Sequence, residues 1–232
     1  MNLSRRLSAV ANMISPGLSV ADIGCDHAYL AIHLIRSGTS PHVIAMDINR
    51  GPLERARQNV EEAGLSDDIE LRLSDGLDKL KPGEAECIVM AGMGGPLMTE
   101  IMSRKPEICD NAREFILQPQ SDVEKVRRYL EKDGFGIVAE DIVYEDGKFY
   151  PMMKAVHGRM DLGKELYYRY GKILLEEKHP VMHKYLENEK KQLEEIRTGL
   201  LDSPETEKVS KRLEEITQGI EIVTEALGEY GN

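Results

Sequence analysis

Two carboxylates flank a glycine turn near the start of the chain, in the segment 22–28 (DIGCDHA). The segment follows an apolar run of strand type, and a glycine turn between a strand and a helix is the usual nucleotide position in a doubly wound sheet. Phosphates bound here would face Asp22 and Asp26, and no lysine follows the turn to offset the repulsion. S-adenosylmethionine carries an ammonium and a sulfonium, which these carboxylates would attract. The acidic turn therefore predicts S-adenosylmethionine rather than a dinucleotide or a bare phosphate.

Further aspartates lie at the ends of the next two strand-like segments: Asp47 ends the second, and Asp75 follows the third. Asp47 lies 25 residues after Asp22, where a carboxylate can accept hydrogen bonds from both hydroxyls of an adenosine ribose. Asp75 could accept from the exocyclic amine of an adenine, while backbone at Gly76 approaches the ring. One aspartate at a strand end is more often a turn or capping residue. Three at successive carboxyl ends of parallel strands converge on one crevice, which favours an adenosyl pocket.

The segment 92–95 (GMGG) places three glycines in four residues after a fourth strand-like segment. Glycines here can simply turn a strand into a helix. Across the crevice from a methyl donor, they would also let a flat base lie against the backbone. Gln118, after a fifth segment, would offer such a base an amide donor and acceptor. These residues are the predicted acceptor side of the site.

The elements that must position these residues read as βαβ repeats. Amphipathic stretches of helical length separate five short apolar runs, at 18–23, 43–48, 69–73, 87–91 and 115–117. Two later strand-like runs, 135–144 and 149–156, are joined by a short turn and should form a hairpin. We expect an α/β fold with a Rossmann-like, mostly parallel sheet, helices on both faces and one antiparallel edge strand.

Two heptad patterns occupy the end of the chain. Apolar residues step by four and three over 182–200, interrupted by Glu189, and again over 209–227. Ser203 and Pro204 between them suit a helix cap and a first helical residue. The pattern favours an antiparallel helical hairpin over a parallel dimer zipper, which would need a straight helix through Pro204.

Length and charge constrain the function. The 232 residues suit one domain with an appendage, so we expect a Rossmann-like domain at 1–158 and a coiled-coil domain at 159–232. The net charge of −11 argues by itself against a nucleic-acid partner. Any such surface must be local, although each basic residue alone is more often a solvated charge. The candidates are Arg5, Arg6, Arg127, Arg128, Arg169, Lys172, Lys184, Lys190, Lys191 and Arg197.

The cysteines and apolar runs point to the cytoplasm. Cys25, Cys87 and Cys109 form no CxxC pair, which disfavours a disulfide framework or a zinc site and fits a reducing compartment. The histidines share no ligand spacing, so we expect no metal. No apolar run approaches the roughly 20 residues of a membrane span, and no export signal is evident.

Three motifs together resemble the bacterial tRNA (adenine-22) N1-methyltransferase family: D-I-G-x-D-H-A-Y-L at 22–30, A-G-M-G-G at 91–95 and L-Q-P at 117–119. The resemblance covers essentially the whole chain. It implies a class I methyltransferase domain with a C-terminal coiled coil, S-adenosylmethionine as donor and S-adenosylhomocysteine as product. The implied acceptor is N1 of adenine 22, in the D-loop region of tRNA.

The resemblance implies the donor-site residues, and the acceptor-side and basic candidates above complete the predicted site. The cofactor-binding set is Asp22, Gly24, Cys25, Asp26, His27, Asp47, Ile48, Asp75, Gly76, Ala91 and Gly92. Cys25 stands where the family pattern would have a small hydroxyl residue. The catalytic set is Asp26, Gly92 and Gln118. The substrate-binding set is Arg5, Arg6, Tyr29, Met93, Gly94, Gln118, Lys184, Lys190 and Lys191.

Two other functions are compatible with the sequence. A small-molecule methyltransferase would use the same donor pocket and act on a free metabolite without tRNA. A noncatalytic adapter would bind S-adenosylmethionine without methyl transfer and use its coiled coil to recruit a protein. We expect a monomer, with dimerisation through the coiled coil as the alternative.

Overall fold

A seven-stranded sheet forms the centre of the N-terminal part of the chain. The computed structural model describes residues 3–204 and 206–231, and the chain divides into two units, Met1–Asp161 and Leu162–Asn232. The strands are β1 (Val20–Ile23), β2 (Val43–Asp47), β3 (Ile69–Leu73), β4 (Cys87–Met93), β5 (Glu114–Pro119), β6 (Phe135–Glu145) and β7 (Lys148–His157).

The strand order is β3-β2-β1-β4-β5-β7-β6. The pairs from β3 to β5 are parallel, whereas β7 runs antiparallel to both β5 and the outermost strand β6. After β1 the chain builds outward through β2 and β3, then returns to place β4 on the other side of β1. This reversal creates a crevice at the carboxyl ends of β1 and β4. The predicted α/β fold class is confirmed.

Helices cover both faces of this sheet. They are α1 (Arg5–Met13), α2 (Tyr29–Arg36), α3 (Arg50–Ala63), α4 (Gly95–Arg104), α5 (Pro106–Cys109) and α6 (Val123–Lys132). Successive residues of β4 enter opposite cores: Ile88 and Met90 pack on one face, Cys87 and Val89 on the other. A strand that is buried on both faces has no polar side, which explains the continuous apolar runs in the sequence.

The C-terminal unit is helical, with α7 (Glu165–Tyr170), α8 (Lys172–Glu176), α9 (Pro180–Leu201) and α10 (Glu207–Gly228). A side-chain atom of Leu193 in α9 lies 3.3 Å from where a Cβ of Gly219 in α10 would be. The His183 and Tyr230 rings lie 4.8 Å apart, centre to centre. The first pair joins the middle of α9 to the middle of α10, and the second joins the start of α9 to a residue just past the end of α10. The hairpin is therefore antiparallel, as predicted.

The predicted start of the last helix is wrong. α10 begins at Glu207, and the Thr206 side chain caps it by accepting a hydrogen bond from the Val209 N–H at 3.2 Å. The Ser203 hydroxyl instead donates to the Gly199 carbonyl at 2.8 Å, so it belongs to the end of α9. No helix of the described residues is long and apolar enough to cross a membrane.

The interruption of the heptad pattern has a structural cause. Glu189 accepts a hydrogen bond from Arg169 at 2.7 Å, and its side chain is 17% exposed. The guanidinium of Arg169 lies 5.5 Å from the centre of the Tyr170 ring, which is buried. Glu189 therefore ties α9 to α7 by an ion pair where an apolar residue would otherwise pack.

Candidate active site

A cavity of about 360 Å³ opens at the carboxyl ends of β1, β2 and β4. This is the edge of the sheet where the strand order reverses, the position at which α/β sheets bind ligands. The cavity is lined by Arg6, Leu7, Asp22, Gly24, Cys25, Asp26, His27, Tyr29, Leu30, Asp47, Asn49, Pro52, Ala91, Gly92 and Gln120.

The loop after β1 is held in an unusual backbone conformation. Gly24, Asp26 and Ala28 have φ of +76°, +48° and +58°, and positive φ costs energy at the two residues that carry a Cβ. The Gly24 and Cys25 N–H groups donate to the Met46 carbonyl of the neighbouring strand at 2.8 and 2.9 Å. The surrounding sheet thus fixes the shape of the loop that forms one wall of the cavity.

Asp22 presents a buried carboxylate in this cavity. It is 4% exposed, and its Oδ2 atom has no hydrogen-bond partner among the residues that the structure describes. Burial, with a further contribution from Asp47, raises the pKa of Asp22 to about 7. An ionised carboxylate in this environment is costly unless a cation accompanies it. The site therefore fits a ligand that carries an ammonium group, as S-adenosylmethionine does.

Asp47 lies at the end of β2 and organises the same wall. Its Oδ1 accepts a hydrogen bond from the Asn49 N–H at 2.8 Å, and its Oδ2 accepts from the Asp26 N–H at 3.2 Å. Each carboxylate oxygen can accept a second hydrogen bond. Asp47 can therefore hold the loop after β1 and still accept from ligand hydroxyls.

The opposite wall is built around Gly92. It is skipped in the β4–β5 register between Ala91 and Met93, a bulge in which its φ is +85°. A Cβ at Gly92 would lie 3.3 Å from Nη1 of Arg6 and 3.6 Å from Nε2 of Gln120. The missing side chain leaves the space between these two polar groups open.

Arg6 reaches this wall from α1. The backbone N–H groups of Arg5 and Arg6 donate to the Glu145 carboxylate at 2.6 and 3.2 Å, which anchors the first turn of α1. Arg6 Nη1 donates to Oε1 of Gln118 at 2.8 Å. Its guanidinium also lies 5.7 Å from the centre of the Tyr150 ring. Arg6 is thus fixed by three elements other than its own helix.

Comparison with known proteins identifies the family. A family model described as a methyltransferase domain matches residues 3–153. A tRNA (adenine(22)-N(1))-methyltransferase of Bacillus subtilis is 32% identical in an alignment of 232 positions that covers 98% of each chain. This chain belongs to the tRNA (adenine(22)-N(1))-methyltransferase family. The resemblance carried by the three sequence motifs is confirmed.

Solved structures of relatives agree with this assignment to the tRNA (adenine(22)-N(1))-methyltransferase family. The S-adenosyl-L-methionine complex of Streptococcus pneumoniae Sp1610 is 32% identical, with a TM-score of 0.89, over 97% of this chain and 100% of that chain. Mycoplasma capricolum TrmK, in complex with the cofactor product S-adenosyl-homocysteine, is 28% identical, with a TM-score of 0.79, over 95% and 99% of the two chains.

The structure places most of the predicted cofactor-binding residues of this methyltransferase in the cavity. Asp22, Gly24, Cys25, Asp26, His27, Asp47, Ala91 and Gly92 line it, as do Arg6 and Tyr29 of the substrate-binding set. The rings of His27 and Tyr29 stack with their centres 5.4 Å apart. Burial raises the pKa of the Cys25 thiol, so this cysteine contributes its backbone to the loop and no thiolate.

Three predicted cofactor-binding residues are not among the residues that line the cavity. Asp75 is paired with Arg104 at 3.1 Å, and a Cβ at Gly76 would lie 2.8 Å from the Ile101 side chain. The glycine thus serves the close packing of the loop on α4. Ile48 follows β2 and is 60% exposed. Their roles toward a ligand stay predictions.

Several predicted acceptor-side residues also lie outside the cavity lining. Gln118 is fully buried. Its Oε1 accepts a hydrogen bond from Arg6, and its Nε2 donates one to the Pro119 carbonyl at 3.2 Å. It does not line the cavity, so the amide that was expected to face a base is already bonded within the protein. Met93 packs behind the loop after β1, with its Cε 3.3 Å from the position of a Gly24 Cβ. Gly94, the N-cap of α4, and Arg5 lie outside the lining as well.

Several basic candidates prove to be engaged in ion pairs. Arg127 is 1% exposed and pairs with Glu140 at 2.8 Å, so it is not a surface contact for phosphate. Arg128 pairs with Glu124 at 2.8 Å. On α9 of the C-terminal unit, Lys184 and Lys191 are exposed and Lys190 is half-buried.

Sequence reasoning missed five cavity residues: Leu7, Leu30, Asn49, Pro52 and Gln120. Asn49 could have been found, because it follows Asp47 at the strand end and is the N-cap of α3. Gln120 lies two residues beyond Gln118, the predicted base contact. Within the described residues, no group of histidine, cysteine, aspartate and glutamate side chains could hold a metal ion.

Proposed function

We propose that this protein transfers the methyl group of S-adenosylmethionine to N1 of adenine 22 in the D-loop region of tRNA. The observation that carries the proposal is the buried carboxylate of Asp22 beside Asp47, in a cavity at the strand-order reversal; its Oδ2 has no hydrogen-bond partner within the described part of the chain. Family membership supports the choice of tRNA, since the Bacillus subtilis relative is named for this reaction.

The donor side of the cavity would hold S-adenosylmethionine, which supplies a methyl group on a sulfonium centre. Asp22 would bind its ammonium group, since this charge compensates the cost of the buried carboxylate. Asp47 would accept from the ribose hydroxyls with the lone pairs that Asp26 and Asn49 leave free. The strained loop at Gly24 holds the backbone in place before the ligand arrives.

The acceptor side needs no general base. N1 of adenine has an in-plane lone pair and carries no proton, so attack on the methyl carbon requires alignment above all. During transfer, positive charge moves from sulfur to the adenine ring. Asp26 lines the cavity with its side chain 67% exposed, so its carboxylate can stabilise that charge by electrostatics. Gly92 leaves room for the ring.

The target adenine has to leave its stacked position to reach the cavity, at a cost of about a few kcal/mol. Contacts to the rest of the tRNA can offset this cost. We assign part of these contacts to the C-terminal unit, on the basis of Lys184, Lys190 and Lys191 on α9. We infer that the enzyme acts as a monomer in the cytoplasm, where tRNA is available to it.

The proposal is tested by incubating the purified protein with S-adenosylmethionine and an unmodified tRNA transcript, followed by mass-spectrometric mapping of methylated nucleosides. We expect 1-methyladenosine at position 22 and no product from a transcript with guanosine at that position. Methylation of a free metabolite without tRNA would contradict the proposal in favour of a small-molecule enzyme. Binding of S-adenosylmethionine without transfer to any acceptor would favour the adapter function.

A further inference from the structure

Two glutamines near the end of β5 have different surroundings. Gln118 lies within the strand and is fully buried, whereas Gln120 lies one residue beyond the strand and is exposed at the cavity. Both carry the same amide, so their surroundings decide which of them can contact a substrate. The inference below rests on the proposed function and concerns how the enzyme recognises its base.

The Gln118 side chain is fully buried and does not line the cavity, so a base in the cavity cannot reach it. Its Oε1 accepts from Arg6 at 2.8 Å, and its Nε2 donates to the Pro119 carbonyl at 3.2 Å. Arg6 is itself held by Glu145 and lies over Tyr150. Gln118 is therefore a positioning residue that fixes the Arg6 guanidinium at the cavity wall.

Gln120 combines a fixed backbone with an available side chain. Its N–H donates to the Met93 carbonyl at 2.9 Å, which ties it to the bulge around Gly92. The Nε2 atom lies 3.6 Å from where a Gly92 Cβ would be, so the amide borders the space that the glycine leaves open. Its side chain makes no hydrogen bond to any other described residue.

The chemistry of the reaction restricts how an adenine can be recognised. N1 is the atom that attacks, so it must carry no hydrogen bond from the protein. The remaining polar atoms of the base in its plane are the N6 amine, N7 and N3. The N6 and N7 atoms together match a side-chain amide, which accepts from N6 and donates to N7.

We propose that Gln120 reads the target adenine through this edge, with Oε1 accepting from N6 and Nε2 donating to N7. The arrangement leaves N1 free for the methyl group. It also selects adenine over guanine, because guanine presents an O6 acceptor where the amide presents its own acceptor oxygen. Gln120 is thus a specificity-determining residue in direct contact with the base.

The experiment is a double-mutant cycle between the enzyme and the RNA. Full-length wild-type protein and Gln120→Ala are each assayed for kcat/KM on tRNA carrying adenosine or 7-deazaadenosine at position 22. The 7-deaza base lacks the N7 acceptor but keeps N1 and the N6 amine. Because each enzyme is compared on both RNAs, any intrinsic change in N1 reactivity cancels in the cycle.

The 7-deaza substitution should lower kcat/KM in both enzymes, and the fold-decrease should be about ten times larger for wild type than for Gln120→Ala. On adenosine tRNA, the kcat/KM of Gln120→Ala should be about 10- to 100-fold lower than that of the wild type. Its affinity for S-adenosylmethionine should stay unchanged, which shows that the fold is intact. Gln120→Glu keeps the acceptor and loses the donor, so its activity on adenosine tRNA should resemble that of the wild type on the 7-deaza RNA.

Gln58→Ala is the matched control, because Gln58 is an exposed glutamine on α3 that does not line the cavity. Equal effects of the 7-deaza substitution on wild type and Gln120→Ala would overturn the inference. Gln118→Ala is assayed on the same two RNAs. If the 7-deaza substitution lost its effect in Gln118→Ala and kept it in Gln120→Ala, Gln118 would be the base contact and the inference would be overturned. Absence of wild-type transfer to adenosine tRNA would overturn the proposed function itself, and this inference with it.

Discussion

Replacing Asp22 by asparagine should change ligand-free stability and cofactor affinity in opposite directions. One oxygen of the buried carboxylate has no hydrogen-bond partner in the described residues 3–204 and 206–231, and burial together with Asp47 raises the pKa of Asp22 to about 7. The ligand-free protein therefore pays for this charge above neutral pH. Asparagine removes the charge at nearly constant size, but it also removes the attraction for an ammonium group.

The size of the stability effect follows from the pKa shift of Asp22. The folded state keeps the proton to a higher pH than the unfolded chain, so the stability that this group contributes is full below about pH 4 and is lost as the pH rises through about 7. From the ordinary value of 3.8 to about 7, the loss is about 4 kcal/mol at about 1.36 kcal/mol per pH unit. The buried amide has its own desolvation cost of about 1–3 kcal/mol. The net gain of Asp22→Asn at pH 8 should thus be about 1–3 kcal/mol.

The assay is urea denaturation of wild type and Asp22→Asn without ligand at pH 6 and pH 8. Between these two values, the stability advantage of the variant should grow by about 1 kcal/mol, as a carboxyl with a pKa of about 7 ionises. Asp67→Asn, which alters an exposed carboxylate, is the control and should show no such growth. In calorimetric titrations at pH 8, Asp22→Asn should bind S-adenosylmethionine with a free energy weaker by about 1.5–3 kcal/mol.

Two results would refute this reasoning about Asp22. If Asp22→Asn were less stable than wild type at pH 8, the carboxylate would be compensated within the protein and not poised for a cation. If the variant bound S-adenosylmethionine as tightly as wild type, the ammonium group would have to be bound elsewhere in the cavity.

Three further predictions concern the cavity and the C-terminal unit. Asp47→Ala removes the acceptor for the Asp26 and Asn49 N–H groups, and calorimetry should show S-adenosylmethionine affinity weakened by about 1.5–3 kcal/mol; unchanged affinity would exclude Asp47 from the donor site. Gly92→Ala places a Cβ 3.3 Å from Arg6 at a φ of +85°, so thermal melts should show a loss of about 1–2 kcal/mol, and turnover should fall more than cofactor affinity does; full activity would show that the space beside Gly92 is not used. Alanine at both Lys190 and Lys191 should weaken tRNA binding and reduce its salt dependence, measured by filter binding at several salt concentrations; an unchanged salt slope would assign the hairpin to another role, such as oligomerisation.

The fold and the donor side of the site could be predicted from the sequence because their signals are local. Apolar runs that are buried on both faces mark the strands; Asp22 lies one residue before the end of β1, and Asp47 ends β2. Once the strands are taken as parallel, their carboxyl ends must meet at one edge. The family motif at 22–30 also assigns Asp22 to the binding of S-adenosylmethionine.

The acceptor side could not be predicted in the same way, because it depends on contacts between distant parts of the chain. Arg6 and Gln118 are 112 residues apart, and nothing in the sequence near either residue indicates that they bond. Gln118 is fully buried beside Arg6, and Gln120 is the amide that lines the cavity. Likewise, the pairing of Asp75 with Arg104 of α4 becomes visible only in three dimensions.

The start of α10 could not be predicted for a different reason. Ser203 and Pro204 form a plausible start signal, but Thr206 forms an equally good one and is the cap in the structure. Two adjacent capping signals cannot be ranked by local chemistry, since both satisfy a first-turn N–H group. In the structure Ser203 bonds back to Gly199 of α9, and Thr206 caps α10.

The central claim is that this chain methylates N1 of adenine 22 in tRNA, and mapping of cellular tRNA tests it most directly. A methyl group on N1 blocks Watson–Crick pairing and stops reverse transcription at that nucleotide. In cells that lack this protein, we expect the stop at position 22 to disappear from tRNA with adenine there, and expression of the wild-type chain to restore it. Persistence of the stop at position 22 in those cells, or loss of a methylated adenine at another position instead, would contradict the claim.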